Sequence, residues 1–173
     1  MPDETTLIQC ECGARLEAAE GGTSEYYGEH PACWALFGEV LAREYSDYRF
    51  AAVHRLTVDA YAAQHPGKPE RRTIKSVAVH LIGLHLALER GVSSIDAVQT
   101  LQSAADRSAE YHWLVPPSSF GDLTVVYVHG AGGDPELHKQ RVQEWAGHTW
   151  RAWAAHHAQV RAWAAALKPR SKR

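Results

Sequence analysis

Three cysteines stand in the first fifth of the chain, at a spacing that suits metal binding. They are Cys10, Cys12 and Cys33, and the chain of 173 residues contains no others. An odd number excludes a complete set of disulfides, and clustered cysteines in a reducing compartment more often bind metal or take part in catalysis. Gly13 follows Cys12, and a glycine at a tight turn allows backbone amides to face a thiolate sulfur.

Zinc is the metal that this donor set favours, because it prefers four thiolate or imidazole ligands in a tetrahedron. Cys33 opens one predicted helix and His65 ends the next, so an antiparallel helix pair would bring them together. His54 would lie about 16 Å from that end at ~1.5 Å per residue, whereas His30 is a local competitor. The sequence therefore predicts a structural zinc clip for the N-terminal segment, with the ligands Cys10, Cys12, Cys33 and His65.

A plainer interpretation explains two of these residues without a metal. Cys33 would be a buried residue that behaves as a small apolar side chain. His65 would cap the carbonyl groups at a helix C-terminus. The sequence leaves both interpretations open.

A second polar group lies on two consecutive predicted helices. His54, Tyr61 and His65 share one face of the first helix, and a short turn folds the next helix back so that His80 reaches the height of His54, with Asp59 nearby. Such residues could hold a catalytic metal, act as an acid–base site, or satisfy one another's hydrogen bonds inside a bundle. The predicted catalytic residues are His54, Asp59, Tyr61 and His80.

The spacing of apolar residues predicts the helices that position these groups. The third helix is apolar around most of its circumference, which places it at the centre of a bundle. Gly91 ends that helix, and Ser93 or Ser94 caps the next. The four predicted helices span residues 31–47, 48–65, 72–90 and 95–107.

Other segments are predicted from turn residues and β-branched runs. Residues 7–9 form a short strand, and residues 123–128 form the best strand in the chain, paired with residues 111–115. A long final helix, capped by Asp134, carries a buried stripe of tryptophans. Trp150 lies off that stripe and is the best candidate for an exposed aromatic residue.

Together these elements predict a mainly α, single-domain bundle of about five helices over residues 1–173, with a short β element and a metal-clipped N-terminus. Its parts are an irregular N-terminal segment, a helical core, a short β and loop region, a long C-terminal helix and a disordered basic tail. These parts span residues 1–30, 31–110, 111–133, 134–167 and 168–173.

Charge and hydropathy exclude several classes of function. Lysine and arginine total 18 against 20 acidic residues, a net charge of −2, which excludes nucleic-acid binding driven by bulk charge. No apolar run reaches the ~18 residues of a membrane span, and the polar residues 1–6 are no secretory signal. We expect a cytoplasmic protein without a membrane partner. A small-molecule ligand or substrate and self-association into a homo-oligomer stay open.

Several short blocks of the sequence carry a resemblance to a known family. They are Cys12-Gly13, Cys33-Trp-Ala-Leu36, His54-Arg-Leu-Thr-Val-Asp-Ala-Tyr61, Gln64-His-Pro-Gly67 and Ser76-Val-Ala-Val-His-Leu81. These blocks resemble a bacterial family of unknown function, DUF5946, and the likeness extends from Cys10 to the last helix. Members of that family begin with Cys-x-x-Cys-Gly, whereas the spacing here is one residue shorter and places the family's first cysteine at Gln9. The resemblance implies a fold group and no reaction. The most specific part of the resemblance runs from Val58-Asp-Ala-Tyr61 to Gln64-His-Pro-Gly67.

Two functional hypotheses follow. The first is a small histidine-rich zinc metalloprotein that acts as an enzyme, with hydrolase- or lyase-type chemistry (hydrolysis, elimination or proton transfer) in the bundle pocket. The second is a non-enzymatic, metal-stabilised binding or sensor module that uses its tryptophan-rich C-terminal helix.

Overall fold

The computed structural model describes residues 7–24 and 27–167, and it is mainly helical. The predicted disordered tail, residues 168–173, and residues 1–6 lie outside the described residues. Within the described part, eight α-helices stand where about five were predicted. They are α1 Pro31–Ser46, α2 Tyr48–Ala51, α3 His54–Gln64, α4 Arg71–Leu88, α5 Ser94–Asp106, α6 Val125–His129, α7 Pro135–Ala152 and α8 His157–Ala165.

Helix α4 lies at the centre of the bundle, as its apolar circumference predicts. It packs against α3, α5, α7 and α8, and Leu81, Ile82 and Leu84 are completely buried. The helix ends at Leu88, and Gly91 follows in the turn after it with a φ of 61°, a conformation that suits glycine. No helix in the described part of the chain has the length and apolar character needed to cross a membrane.

The N-terminal segment is a small β-hairpin. Strands β1 (Leu7–Gln9) and β2 (Arg15–Glu17) pair antiparallel, with Ile8 opposite Leu16, which confirms the predicted strand at residues 7–9. The connecting turn is closed by hydrogen bonds from Cys10 N to Ala14 O and from Gly13 N to Cys10 O, both 2.9 Å long. Gly13 has a φ of 95°, a conformation that a residue with a Cβ atom rarely adopts.

The single helix predicted over residues 48–65 is divided into α2 and α3. Asp47 ends α1 and caps α2, accepting a hydrogen bond from Arg49 N at 2.9 Å. Helix α3 begins separately at His54. The buried side chain of Glu44, on α1, accepts hydrogen bonds from His54 and Thr57 at 2.8 and 2.6 Å, so the first turn of α3 is fixed against α1.

The strand predicted at residues 123–128 is wrong, because this segment forms helix α6. Thr124 caps the helix by accepting a hydrogen bond from Val126 N at 3.3 Å. Val125 and Val128, three residues apart, are completely buried where α6 packs against α1 and α7. Residues 111–115, the predicted partner strand, are irregular. Burial of one helical face therefore outweighs the β-propensity of the valines.

The predicted continuous helix over residues 135–167 is wrong too, because it breaks at Trp153. The indole of Trp153 is completely buried and donates to Ala63 O at 3.0 Å. The ring of His157 donates to Trp150 O at 2.8 Å, which satisfies a carbonyl group at the end of α7. After the break, α8 turns back and packs on α4.

The prediction that Trp150 is exposed is also wrong. Only 5% of its surface is accessible, and its ring stacks on that of His157, with centroids 3.8 Å apart. Its indole donates to Glu89 at 3.1 Å. The neighbouring guanidinium of Arg161, on α8, holds the pKa of Glu89 at about 2, so an ion pair also fixes α8 to the end of α4.

We predict that Gly83→Ala destabilises the protein by about 1–3 kcal/mol. A Cβ atom at this position on α4 would lie 2.3 Å from Oδ2 and 2.7 Å from Cγ of Asp59, a buried carboxylate that cannot move without losing its partners. The free energy of unfolding is measured by urea denaturation.

Gly38→Ala is the matched control. Gly38 is exposed on α1, and a Cβ atom there would meet nothing within 4 Å. The substitution should stabilise the helix by about 0.5–1 kcal/mol. Equal effects at the two positions would contradict the close packing of α4 on Asp59.

Candidate metal centre

The four predicted metal ligands meet at one buried point. The three sulfur atoms and Nε2 of His65 all lie within 4.8 Å of one another, and all four residues are buried. Cys10 and Cys12 come from the hairpin turn, Cys33 from the first turn of α1, and His65 follows the last residue of α3. This cluster, named here the Cys3His cluster, could bind a metal ion.

Three of the six distances between the ligand atoms of the Cys3His cluster match the edges of a tetrahedron. Nε2 of His65 lies 3.5 Å from the sulfur of Cys10 and 3.5 Å from that of Cys33, and the sulfurs of Cys12 and Cys33 are 3.9 Å apart. Zinc–ligand bonds of ~2.3 Å to sulfur and ~2.05 Å to nitrogen give tetrahedral edges of about 3.8 Å between sulfurs and about 3.5 Å from sulfur to nitrogen. The residues present therefore fit a tetrahedral ion that binds thiolates.

A hydrogen bond fixes the ring of His65 in the orientation that a ligand needs. Its Nδ1 donates to the carbonyl oxygen of Tyr61 at 2.7 Å, so Nε2 is the nitrogen left to coordinate. The plainer interpretation of His65, a ring that binds helix carbonyls, is thus compatible with metal binding, because each role uses a different nitrogen atom.

His30, the local competitor, has another role. Its Nδ1 accepts a hydrogen bond from Ala32 N at 3.1 Å and caps α1. Its backbone amide donates to the sulfur of Cys10 at 3.4 Å, and the Tyr61 hydroxyl donates to the sulfur of Cys33 at 3.7 Å. Both contacts stabilise negative charge on sulfur.

The electrostatics of the cluster favour a cation. A hydrogen bond from Cys12 lowers the pKa of Cys10, whereas hydrogen bonds to Cys10 and Cys12, together with burial, raise the pKa of Cys33. Burial alone would lower the pKa of His65, but its contacts with the Cys10 and Cys12 sulfurs raise it to about 10. Without a metal, these side chains share protons, and metal coordination displaces such protons.

The residues predicted as catalytic are placed in three different surroundings. Tyr61 lies beside the Cys3His cluster, where its hydroxyl group donates to Cys33. It is completely buried and its ring stacks on Phe37, with centroids 3.7 Å apart. Burial raises the pKa of its hydroxyl, with the charge on Cys33 as the next cause. Of the four predicted catalytic residues, only Asp59 and His80 are joined to each other by a hydrogen bond in the described part of the chain.

His54 lies in a network around the buried carboxylate of Glu44. That carboxylate accepts hydrogen bonds from His54 Nδ1, Thr57 Oγ1 and His138 Nε2 at 2.8, 2.6 and 2.8 Å. Arg43 approaches His138 Nδ1 at 3.3 Å. The sequence interpretation missed Glu44 and His138, although each lies four residues from a buried valine on an apolar helix stripe, which is a detectable signal for a buried polar group.

Asp59 and His80 form an ion-pair network between α3 and α4. The buried Asp59 carboxylate accepts a hydrogen bond from His80 Nδ1 at 2.7 Å. It also pairs with Arg55, one turn earlier on α3, at 2.9 Å. The carboxylate fits because Gly83, beside it on α4, has no side chain. The His80 side chain is partly exposed, with 14% of its surface accessible.

Fold and site together define a mainly helical protein with a buried Cys3His cluster that could bind a metal ion. The chain belongs to DUF5946, a family of unknown function, whose family model matches residues 8–154. No curated protein and no solved structure matches the chain. The family expectation drawn from the sequence is confirmed, and the shorter cysteine spacing does not prevent Cys10 from joining the cluster.

We predict that Glu44→Gln destabilises the protein by about 2–4 kcal/mol. A glutamine would direct an amide N–H towards groups that themselves donate, and it would leave the buried His138 without its charged partner. Urea denaturation at neutral pH measures the change.

Glu39→Gln is the matched control on the same helix. Glu39 also pairs with a histidine, His129, at 2.7 Å, but 65% of its side chain is exposed. Its loss should change the stability by less than about 0.5 kcal/mol. A comparable loss in both variants would show that burial does not set the strength of these pairs.

Proposed function

We propose that this protein binds one zinc ion through Cys10, Cys12, Cys33 and His65, and that the ion holds the N-terminal hairpin onto the helices. The observation that carries the proposal is the convergence of three sulfurs and one imidazole nitrogen within 4.8 Å. Thiolate and imidazole in a tetrahedral arrangement favour zinc over calcium or magnesium, which prefer oxygen.

A structural role for the ion follows from the number of ligands. Four protein side chains complete a tetrahedron and leave no position for water or substrate, as in structural zinc sites. The hairpin also needs such support, because its strands are three residues long each and an isolated two-stranded hairpin is marginally stable in water. A cytoplasmic location is part of the proposal, because a reducing compartment keeps the three thiols available.

The second hypothesis, a binding module that uses the tryptophan-rich helix, has lost its main support. Trp145, Trp150 and Trp153 are all buried, so they stabilise the core and present no aromatic surface to a partner. The enzyme hypothesis retains support from the pair of Asp59 and His80, because His80 lines an open cleft.

We predict that the untagged protein contains about one zinc per chain and that a Cys12→Ser/Cys33→Ser variant contains none. Inductively coupled plasma mass spectrometry measures the metal. The midpoint of thermal unfolding should fall by about 10 °C or more in the variant, because binding free energy contributes to folding. Wild-type protein purified without metal, or a variant that keeps its zinc, would contradict the proposal.

A pair of histidine substitutions separates His65 from its competitor. His65→Asn should lose zinc, since it removes Nε2 from the cluster. His30→Asn should keep zinc and stability, because asparagine is also a favourable helix cap and the backbone amide that faces Cys10 is unchanged. Loss of zinc from the His30 variant alone would assign the fourth ligand to His30.

A further inference from the structure

A cleft of about 260 Å³ opens beside His80. Five of its lining residues share one face of α4, because they are spaced by three or four positions along that helix. Ala105 of α5 and Tyr27 of the N-terminal segment complete the lining. The residues on α4 are Arg72, Lys75, Ser76, Val79 and His80.

The imidazole of His80 is held in an orientation suited to proton transfer. The Asp59 carboxylate can only accept a hydrogen bond when ionised, so Nδ1 of His80 is the donor in their 2.7 Å contact. Nε2 is then the nitrogen that carries a lone pair. Arg55 pairs with the buried carboxylate of Asp59 at 2.9 Å, and a buried carboxylate needs such a partner to offset its loss of hydration.

The other polar groups of the cleft suit an anion. Arg72 and Lys75 are exposed cations at its edge, and Ser76 adds a hydroxyl group between them and His80. Arg72 also lies 4.0 Å from Glu70, and both side chains are exposed. Val79 and Ala105 supply apolar walls. The volume lies below the ~300 Å³ lower end of drug-sized sites, so the ligand is small.

We propose that this cleft binds a small organic oxyanion, with Arg72 and Lys75 on the anionic group and Nε2 of His80 accepting a proton from a hydroxyl group of the ligand. Asp59 is a positioning residue that holds the His80 ring. The shared chemistry is a carboxylate or phosphate group next to a hydroxyl group. None of these residues belongs to the Cys3His cluster, so the proposal stands or falls independently of zinc.

Histidine-ring NMR of the zinc-containing protein tests binding directly. Inorganic phosphate and citrate are the two anionic probes, glycerol is the neutral probe, and sodium chloride holds the ionic strength constant to remove screening effects. The His80 ring signal is assigned by its loss in His80→Gln. We expect phosphate or citrate to shift this signal saturably, with a dissociation constant on the order of 1–10 mM, and glycerol to leave it unchanged.

The two probes also distinguish the source of the oxyanion. Tighter binding of phosphate would identify phosphate esters as the ligand class, and tighter binding of citrate would identify hydroxy-carboxylates. Both outcomes support the proposal. The absence of a saturable shift with either probe would overturn it.

Charge-matched variants decide whether binding is specific to the cleft. Arg72→Gln/Lys75→Gln should weaken binding of the anion by about tenfold. Arg90→Gln/Lys139→Gln removes the same charge outside the cleft lining and should leave binding within about twofold, as expected for remote charges in salt. Equal weakening in both variants would show nonspecific attraction and would overturn the proposal.

The role of Asp59 has its own spectroscopic readout. Long-range proton–nitrogen correlation spectra should show the His80 proton on Nδ1 in the wild type and a mixture of tautomers in Asp59→Asn, because an amide can donate as well as accept. An unchanged tautomer in a folded variant would refute the positioning role.

Discussion

The contacts of His65 constrain how α1, α3 and the hairpin pack in the N-terminal half of the molecule. His65 ends α3, and its hydrogen bond to Tyr61 gives Nε2 one available direction. Cys33 must then stand beside it at the start of α1, while Glu44, near the end of α1, contacts Thr57 at the start of α3. These two contacts, at opposite ends, hold α1 and α3 antiparallel and leave an open corner that the hairpin turn with Cys10 fills.

Both buried carboxylates of the helical core have complete sets of partners. Removing a carboxylate from water costs several kcal/mol, so Glu44 and Asp59 could not be tolerated on apolar helix faces alone. Glu44 accepts from three side chains, and Asp59 from His80 and Arg55. Glu44 on α1 joins α3 and α7, and Asp59 on α3 joins α4 through His80. Each carboxylate therefore fixes the relative register of the helices that it joins, which apolar packing specifies less sharply.

Residue spacing predicted the helical class and the four members of the Cys3His cluster, because both depend on the periodicity of helices and the position of turns. Helix α4 and the antiparallel placement of His65 beside Cys33 follow from periodicity and from the position of turns. Errors arose where distant contacts decide the structure. Residues 123–128 become a helix because α1 and α7 offer a surface that buries Val125 and Val128. The final helix likewise breaks at Trp153, because the indole of this residue donates a hydrogen bond to the carbonyl oxygen of Ala63 on α3.

The four residues of the predicted pocket lie in three different networks. The packing of side chains across helices depends on partners that residue spacing does not reveal. The sequence predicts His54 and His80 at the same height in the bundle. In the structure, His54 donates to Glu44 on α1. Asp59 accepts from His80 on α4, beside Gly83, which has no side chain to fill that space. The polar residues of helix α3 thus contact different partners according to their position along the helix. Its C-terminal end leads to His65 of the buried Cys3His cluster, whose four side chains would complete a tetrahedron around a metal ion. Its middle orients His80 at an accessible cleft. Proton transfer to or from a ligand would therefore take place at the cleft beside His80, because it needs a group that solvent and substrate can reach.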